Sequence, residues 1–327
     1  MTTGARQRLL VTGASGFIGS AVLRAAAGAG LHRVGFCRRP HPLDDVETIA
    51  GDITDRRALD HAMRGVSMVV HAAGLAHRTS GLPATAWTDV NVTGTRMVVE
   101  SAIAAGVSRV VCVSSVSVYG SHPQAVNEQT PCQPSGPYAT SKHEAELTAR
   151  RLASGGDLAL CLVRPATVAG AGDPGSVARL ARLLRRGRFI ALGDGRARKC
   201  LIGVDDVAAA CLGIVTAASP DAATYNLAGP PVRLAEIVQV LAAALEVPEP
   251  RLTVPQRAVE WSEAALSRLE PYSPAVGRVA HGLRAWLADH VYDTGRYEAR
   301  YGPLVRSDWR VVLQDEARWL TGQPSNA

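Results

Sequence analysis

Residues 11–22, VTGASGFIGSAV, determine which fold the chain adopts. Gly13, Gly16 and Gly19 give the spacing GxxGxxG, directly after the apolar run RLLV and at the start of an alanine-rich stretch. In a strand-loop-helix unit the first glycine permits a tight turn, the second lets backbone N–H groups approach a pyrophosphate, and the third lets helix and strand pack closely. The stretch therefore predicts a dinucleotide-binding unit. Its candidate cofactor contacts are Gly13, Ser15, Gly16, Phe17, Ile18 and Gly19.

Short β-like runs alternate with alanine-rich helical stretches through the first half of the chain. The runs are RLLVTG, RVGFCR, a stretch ending in GDI, MVVHAAG, VVCVSS and ALCLVRP. Helices are predicted from Phe17 to about Gly28, from about Ala84 to Ala105 and from Tyr138 to about Ala153. Strands that are apolar throughout are typical of a parallel sheet covered on both faces. The sequence therefore predicts an α/β fold, a doubly wound parallel-sheet Rossmann domain with a smaller C-terminal substrate-binding region.

The domain division follows the point where this alternation weakens, near Gly170. Residues 1–170 are predicted to form the dinucleotide-binding domain, and residues 200–228 are predicted to return to it. Residues 171–327 are predicted to be mainly a substrate-binding region. Ligands bind at the carboxyl ends of the strands in such sheets, so this region is placed to close over a substrate.

Composition narrows the class of protein. Of the 327 residues 47% are hydrophobic and 20% are charged, as in an ordinary globular protein. No apolar run approaches the roughly 18 residues that cross a bilayer, and the N-terminal stretch has no signal-peptide pattern, so we expect a cytoplasmic protein without a membrane partner. The six cysteines are scattered without a CxxC pair, which predicts reduced, mostly buried thiols and no metal site.

The net charge of +6 and the pI near 9.2 favour an anionic partner. Eight of the cations lie between Arg179 and Lys199. Leucines at helical spacing in the first half of that stretch predict a solvated arginine face rather than a nucleic-acid surface. A small substrate that carries phosphate is the favoured anion, and we expect no nucleic-acid partner.

The end of the second strand bears on which dinucleotide binds. An acidic residue there would bind the ribose 2′-OH of NAD, whereas arginine would suit the 2′-phosphate of NADP. Arg38 follows Gly19 by nineteen residues, and no acid occurs before Asp44, so NADP is favoured over NAD. Asp52 and Ile53 of GDI are candidates for the adenine edge and face, although a helix N-cap at Asp52 or Thr54 explains the motif equally well.

Tyr138 and Lys142 are four residues apart and share one face of a helix. An ammonium beside a phenol favours the phenolate, which would lower the tyrosine pKa toward working pH, as a general acid/base requires. Lys142 is one of only two lysines among 35 basic residues, and a compact ammonium can also bind a ribose diol. Ser114 and Ser115 end a buried strand, where a hydroxyl can hydrogen-bond the same substrate oxygen.

The chain resembles the extended short-chain dehydrogenase/reductase family, and within it the NAD-dependent epimerase/dehydratase group that acts on nucleotide sugars. The resemblance rests on motifs that occur in order: TGASGFIG, GDI, HAAG, NVTGT, VSSVSVYG, YATSK and RPATVAGAG. It implies that Tyr138 is the general acid/base, that Lys142 lowers its pKa and binds the nicotinamide ribose, and that Ser115 orients the substrate oxygen. Ser115 is favoured over Ser114 because it lies five residues before the glycine of VYG.

The same resemblance implies further roles. Asn91 of NVTGT would connect its helix to the central strands. The helices predicted from about Ala84 and from Tyr138 would form the four-helix bundle of a homodimer. The residues implied to line the cofactor are Ala72, Ala73 and Gly74.

Departures from the family pattern narrow the reaction. Sugar 4,6-dehydratases carry Asp-Glu directly after the catalytic hydroxyl residue, whereas this chain has Val116 and Ser117, neither of which can transfer the protons. Dehydration is therefore disfavoured. Thr167 stands where many relatives have an asparagine that positions the diphosphate. The candidate phosphate cations are Arg198, Lys199 and Arg296.

Sugar 4-epimerases and sugar 4-ketoreductases use the same three catalytic residues. An epimerase returns the hydride that it removes, whereas a reductase consumes NAD(P)H in each turnover. Arg38, which suggests NADPH, favours the ketoreductase, with the 4-epimerase as the alternative. A reductase of a steroid-like or other apolar ketone is the next alternative, and a cofactor-sensing regulator is disfavoured because the tyrosine-lysine pair is present.

Overall fold

The computed structural model describes residues 7–39, 43, 45–76, 82–83, 85–122, 124–219, 221–250, 253–269 and 286–322. Asp44 and Ala84, the first acid after the second strand and the predicted start of a helix, lie outside them. The strands are β1 (Arg8–Thr12), β2 (His32–Cys37), β3 (Glu47–Ala50), β4 (Met68–His71), β5 (Arg109–Val113), β6 (Ala159–Pro165), β7 (Thr167–Ala169), β8 (Ala191–Leu192), β9 (Arg198–Gly203), β10 (Thr224–Leu227), β11 (Pro231–Arg233) and β12 (Thr253–Val254). The α-helices are α1 (Phe17–Ala25), α2 (Arg56–Ala62), α3 (Gly94–Ala104), α4 (Gly136–Ala153), α5 (Ser176–Arg185), α6 (Val204–Thr216), α7 (Leu234–Ala244), α8 (Gln256–Leu269), α9 (Gly295–Tyr301) and α10 (Trp309–Gly322).

The central sheet has seven parallel strands in the order β10-β6-β5-β4-β1-β2-β3. The order reverses between β1 and β4, which is the place where ligands bind in doubly wound sheets. Helices cover both faces, so alternate side chains of one strand enter different cores. Leu9 and Val11 of β1 pack in the core beneath α1 and α6, whereas Leu10 packs in the core beneath α2 and α3. The predicted α/β Rossmann fold is confirmed.

The C-terminal region builds a smaller lobe with its own apolar core. Strands β7 and β9 pair in parallel, and β11 adds antiparallel to β9. Helices α5, α7 and α10 pack against one another around this sheet, while β8 and β12 form a separate two-stranded ladder. Of residues 200–228, α6 packs on the large sheet and β10 belongs to it, whereas the β9 residues Cys200 to Gly203 belong to the small sheet.

Helix starts differ in detail from the sequence predictions. The N-cap of α2 is Asp55, whose carboxylate accepts hydrogen bonds from Arg57 N and Ala58 N at 3.0 and 3.2 Å. The predicted cap at Asp52 or Thr54 is therefore wrong, because the chain takes a further turn before the helix begins. The stretch Thr88–Thr93 is a π-helical segment that runs directly into α3. Across the described helices, we find no segment with the length and apolarity needed to cross a membrane.

Glu316 of α10 is a fully buried carboxyl group in the smaller lobe. Its Oε2 accepts a hydrogen bond from Asp173 N at 3.2 Å. Burial, reinforced by the negative charge of Asp173, raises the pKa of Glu316 to about 8. Between about pH 4.5 and pH 8 the folded chain therefore keeps a proton on Glu316 that the unfolded chain has released.

We expect this carboxyl group to make the fold less stable as the solution becomes more alkaline. Its folded-state pKa lies above the unfolded value of 4.5, so its contribution is fully present below 4.5 and is lost as the pH rises through about 8. Between pH 6 and pH 7.5 the loss should be about 2 kcal/mol, at about 1.4 kcal/mol per pH unit. Urea unfolding of wild type and Glu316→Gln at both pH values measures it. Parallel changes in the two proteins would contradict the assignment.

Candidate active site

The loop between β1 and α1 is held by close backbone contacts. Gly13 has φ +71°, and a Cβ added to it would lie 2.7 Å from Ala73 N. A Cβ on Gly19 would lie 2.1 Å from the Gly13 carbonyl oxygen, so this glycine is required for the helix to meet the loop. Gly16 caps α1 without a side-chain hydrogen bond, and the first helical turn carries no acidic residue. The N-terminus of α1, including exposed Ser15 and half-buried Phe17 and Ile18, therefore fits an anion such as a pyrophosphate.

Alanine at position 19 should disrupt this loop. We expect Gly19→Ala to lower both the free energy of unfolding, by about 1 to 3 kcal/mol, and dinucleotide affinity, since the added methyl overlaps a backbone oxygen. The matched control is Gly28→Ala, because a Cβ there meets nothing within 4 Å. Urea unfolding and NADPH fluorescence titration test both variants. Equal behaviour of the two would show that the contact between Gly13 and Gly19 does not constrain the loop.

The second and third strands end at the residues predicted to select and hold the adenosine. Arg38 is exposed just beyond β2, and Arg39 follows it, also exposed. Asp52 accepts hydrogen bonds from Thr54 N and Thr54 Oγ1 at 2.9 and 2.8 Å, which closes a turn. Ile53 is buried, and its side chain approaches so near to Gly94 that a Cβ there would lie 2.5 Å from it.

The segment after β4 is anchored by Asn91. Its Oδ1 accepts from Leu75 N at 2.7 Å, and its Nδ2 donates to Ser141 Oγ at 2.9 Å. A Cβ on Gly74 would lie 3.0 Å from Asn91 Oδ1 and 3.5 Å from Lys142 Nζ. Ala72 and Ala73 are half-buried beside it, and Gly74 is exposed. The contacts of Asn91 connect the π-helical segment to the segment that follows β4 and to α4, in keeping with the role that the family resemblance implies.

His71 lies beneath this segment in a buried chain of hydrogen bonds. Ala73 N donates to Thr12 Oγ1 at 3.3 Å, Thr12 Oγ1 lies 2.7 Å from His71 Nδ1, and His71 Nε2 lies 3.0 Å from Thr95 Oγ1. Thr95 in turn donates to the Asn91 carbonyl at 2.6 Å. Because Thr95 uses its own proton on the Asn91 carbonyl, His71 Nε2 carries a proton and donates to Thr95 Oγ1. In the neutral ring, Nδ1 then accepts from Thr12. Burial, with the nearby Lys142 charge, lowers the pKa of His71 to about 3.

Ser115 and Tyr138 come together at the carboxyl edge of the sheet. Ser115 caps a short 3₁₀ helix, Val116–Tyr119, and its Oγ accepts from Ser117 N at 3.1 Å. A hydrogen bond with Ser115 lowers the pKa of Tyr138, but burial has the larger effect and raises it overall. Ser114 is more deeply buried, and its Oγ has no hydrogen-bond partner among the described residues. The structure thus pairs the tyrosine with Ser115, the serine favoured from sequence.

Lys142 lies one turn from Tyr138, but its ammonium points into the sheet edge. Nζ donates to the Val113 carbonyl at 2.8 Å, and burial lowers the pKa of Lys142. Burial raises the pKa of Tyr138, and a lowering of that pKa by Lys142 stays a prediction. Lys142 Nζ does lie beside Gly74, at the edge of the dinucleotide loop.

A buried ion pair lies behind the helix that carries Tyr138 and the turn that carries Ser115. Arg164 Nε and one of its terminal nitrogens donate to the two carboxylate oxygens of Glu146 at 2.9 and 2.5 Å. The guanidinium also lies 4.7 Å from the ring centre of Tyr119, whose hydroxyl donates to Asn226 Oδ1 at 2.7 Å. Arg164 and Glu146 therefore hold α4 against the turn that carries Ser115. Ligand atoms of Cys132, His143 and Glu146 lie within 4.8 Å of one another, but this carboxylate is already paired with the arginine.

A cavity of about 330 Å³ opens in the smaller lobe, and none of its described lining residues belongs to the central sheet. Arg196, whose side chain is 82% exposed, lines it and pairs with Asp194 at 3.1 Å. The remaining lining residues include Leu192, Gln256, Trp286 and Asp289. Its wall therefore combines charged and polar groups with apolar side chains, among them Leu234 and Leu287.

The predicted phosphate cations do not line this cavity. Arg198 pairs with Asp289: its Nε and one terminal nitrogen both donate to Asp289 Oδ2, at 2.9 and 2.7 Å. Lys199 Nζ donates to the Ala288 carbonyl at 2.6 Å, and burial lowers its pKa to about 8. Arg296 lies 5.7 Å from the ring centre of Tyr225 on the edge strand β10. Thr167 is half-buried at the first position of β7.

Sequence reasoning missed several residues of the site. Trp87 contacts the Tyr138 ring edge-on, with 5.7 Å between ring centres. Arg196 was not distinguished from the neighbouring cations. Arg164 and Glu146 were also missed, although an arginine inside the apolar strand LVRP signals a buried partner.

Sequence comparison with known proteins agrees with a dinucleotide-binding site in this region. Residues 9–228 match the model of the NAD dependent epimerase/dehydratase family. An Escherichia coli O157:H7 protein, N-acetyl-alpha-D-glucosaminyl-diphospho-ditrans,octacis-undecaprenol 4-epimerase, is 31% identical over 61% of this chain and 60% of its own length. Sterol demethylase protein B of Methylococcus capsulatus is 31% identical over 95% of this chain and 97% of its own.

A solved structure also resembles the whole chain. MoeE5 in complex with UDP-glucose and NAD superposes with a TM-score of 0.77 at 27% identity, over 96% of this chain and 98% of that one. The family model covers well over half of the sequence, and its region includes the glycine loop and Ser115, Tyr138 and Lys142. The chain belongs to the NAD-dependent epimerase/dehydratase family.

Proposed function

We propose that the protein reduces the C4 ketone of a nucleotide-activated sugar, with NADPH as the hydride donor. The observation that carries this proposal is the pairing of the Ser115 hydroxyl with the Tyr138 phenol beside the dinucleotide loop. Such a pair can hold a carbonyl oxygen and protonate it. Arg38, exposed after β2, supplies the argument for the phosphorylated cofactor.

Each part of the loop region has a role in holding this cofactor. The α1 N-terminus, with Gly13, Gly16 and Gly19, would receive the pyrophosphate. Arg38 would bind the 2′-phosphate, while Asp52 and Ile53 would contact the adenine. Further contacts would come from Ser15, Phe17, Ile18, Ala72, Ala73 and Gly74. Lys142, whose Nζ lies beside Gly74, would donate to the nicotinamide ribose.

The protonation state of Tyr138 suits a reduction. When bound, NADPH supplies the hydride that C4 receives. Burial raises the pKa of Tyr138, so the phenol keeps its proton near neutral pH. Tyr138 can then donate that proton to the ketone oxygen while Ser115 holds the oxygen in place. The products are a C4 alcohol and the oxidised cofactor.

The reaction is proposed to stop at hydride and proton transfer. Val116 and Ser117, in the turn that follows Ser115, carry no group that can move a proton at C5 or C6. Val116 is buried in a small apolar cluster, so its side chain faces protein rather than substrate. This supports reduction or epimerisation over dehydration.

Sugar 4-epimerisation is the second candidate. It is favoured by the name of the Escherichia coli relative and by the NAD in the MoeE5 complex, since an epimerase keeps one cofactor bound. The name of the Methylococcus relative, a sterol demethylase protein, instead suggests an apolar, sterol-like substrate. The charged groups in the wall of the 330 Å³ cavity support a polar substrate over an apolar one, and Arg196, paired with Asp194, is its exposed cation. Arg198 and Lys199 remain proposed phosphate contacts that would have to exchange their present partners.

We also propose that the chain forms a homodimer through α3 and α4. The two helices pack side by side, and each exposes a large apolar side chain. Ile103 of α3 is 43% exposed and Leu147 of α4 is 47% exposed. Pairing of two copies would cover both side chains in a four-helix bundle.

The reduction is tested with purified protein, NADPH and a UDP-linked 4-keto sugar. We expect absorbance at about 340 nm to fall as the cofactor is oxidised. Interconversion of C4 epimers without added reductant, and with no loss of absorbance, would replace the reductase by the epimerase. Turnover of an apolar ketone alone would overturn the sugar assignment.

Cofactor choice is tested at Arg38. We expect Arg38→Ala to raise the KM for NADPH at least about tenfold and to leave the KM for NADH nearly unchanged, because a charge-assisted phosphate contact contributes about 1.5 to 3 kcal/mol. The matched control is Arg57→Ala, which removes an exposed arginine from α2. Steady-state kinetics with both cofactors measure the effect. An equal change for NADPH and NADH would argue against a contact with the 2′-phosphate.

A further inference from the structure

Helix α5 presents one continuous face of arginines to solvent. At 100° per residue, Arg179, Arg182, Leu183 and Arg186 fall within an arc of about 100° on the helix. The opposite side, with Val177, Ala178, Ala181 and Leu184, is buried in the smaller lobe. Arg188 and Ile190 follow in the next turn and are exposed. Arg182 lies on the same arc but is half-buried, and its charge acts on Glu316. We call the five exposed residues, Arg179, Leu183, Arg186, Arg188 and Ile190, the arginine face.

The charge of the arginine face is not balanced locally. No acidic residue occurs from Ser176 to Gly193. Within the described part of the chain, Arg179, Arg186 and Arg188 form no ion pair. Arg185 behaves differently, because it turns inward and donates to the Leu320 carbonyl at 2.7 Å. Unpaired cations on one rigid helix produce a concentrated positive potential.

Two apolar side chains project between these cations. Leu183 is 38% exposed and Ile190 is 47% exposed, and both count among the exposed large hydrophobic residues. Leucine between arginines on an amphipathic helix fits the headgroup boundary of a bilayer, where cations meet phosphate and apolar tips enter the acyl region. A nucleic-acid surface would leave these two side chains without an apolar partner.

We propose that the arginine face docks the protein peripherally on an anionic phospholipid bilayer. Each arginine near such a surface strengthens binding, and the two apolar tips add burial. The expectation of no membrane partner rests on the lack of a bilayer-spanning segment in the sequence. Peripheral docking does not require such a segment. The chain that leaves α5 continues to Leu192 and Asp194 in the wall of the 330 Å³ cavity, so docking would bring that cavity near the membrane. The docking is independent of the reaction proposed above.

Vesicle sedimentation tests the docking. The full chain is mixed with vesicles of 60% phosphatidylcholine and 40% phosphatidylglycerol, or of phosphatidylcholine alone, in dilute buffer with about 0.1 M NaCl, where charges act over about 10 Å. We expect binding to the anionic vesicles only, and release at about 1 M salt, where that length falls to about 3 Å. The triple variant Arg179→Gln/Arg186→Gln/Arg188→Gln should bind at least tenfold more weakly. Leu183→Ser/Ile190→Ser should bind several-fold more weakly.

A charge-matched variant separates this surface from general basicity. Arg57→Gln/Arg64→Gln/Arg151→Gln removes three exposed arginines from the other lobe, so it has the same net charge as the first triple variant. We expect it to bind vesicles like the wild type. Equal loss in the two triple variants, or no binding to anionic vesicles, would overturn the proposal. Tight binding of a labelled DNA duplex through the same arginines, without vesicle binding, would also overturn it. Unfolding midpoints confirm that each variant is folded.

Discussion

Tyr138→Phe should reduce turnover by a factor of about 10² to 10⁴, the usual range for loss of a general acid/base. Dinucleotide affinity should change little, because the proposed cofactor contacts of the glycine loop and Lys142 remain. Phenylalanine also keeps the edge-on contact with Trp87, so the packing of α4 is preserved. The measurement is kcat with the preferred substrate, together with the dissociation constant for NADPH by fluorescence.

The control for this variant is Tyr297→Phe. Tyr297 is a buried tyrosine on α9 that packs against the rings of Tyr225 and Tyr301. Helix α9 contacts the edge strand β10, which three strands separate from β1 and its glycine loop. We expect its turnover to stay within about twofold of wild type. Unchanged turnover in Tyr138→Phe would refute the mechanism, whether the reaction is reduction or epimerisation, since both move a proton at the same oxygen.

Arg164→Met should destabilise the fold by about 3 to 5 kcal/mol, because it leaves the Glu146 carboxylate buried without its cation. The side chains of Arg164 and Glu146 are only 6% and 3% exposed, so solvent offers little screening. A loss of this size is a large share of the total stability of a typical protein, about 5 to 15 kcal/mol. Urea unfolding at constant pH measures it.

The double variant Arg164→Met/Glu146→Met distinguishes the charge from the packing. Replacing both partners removes the buried charge, so most of the lost stability should return. If the double variant is as unstable as Arg164→Met alone, altered side-chain packing, and not the unpaired Glu146 charge, causes the loss of stability. A change below about 1 kcal/mol in Arg164→Met would show that the ion pair does not hold α4 in place.

The fold and the glycine loop could be predicted because their signals are local. An apolar strand, a GxxGxxG loop and an alanine-rich helix follow one another within fifteen residues from Arg8 to Val22. The tyrosine and the lysine share one helix, so their spacing alone places them on one face. These features depend on backbone periodicity, which a sequence displays directly.

Features set by distant contacts could not be predicted in this way. Arg198 has a basic neighbour in sequence, yet its partner Asp289 lies 91 positions away. The direction of the Lys142 ammonium depends on the Val113 carbonyl, 29 positions earlier, and the pKa of Tyr138 depends on how deeply α4 is buried. The N-cap of α2 is Asp55 rather than the predicted Asp52 or Thr54, because the chain makes an additional turn between β3 and the helix. In each case the decisive partner or burial comes from tertiary packing.

The buried histidine beneath the dinucleotide loop has a consequence for kinetic assays. With a pKa of about 3, His71 stays neutral at every pH at which the enzyme would ordinarily be measured. An acidic limb in a pH–rate profile near 6.5 would look like an ordinary histidine, but it would have to arise elsewhere in the molecule or in the substrate. Because both ring nitrogens are already engaged, the imidazole acts as a fixed spacer between Thr12 and Thr95, and kinetic assays should find no titration from it.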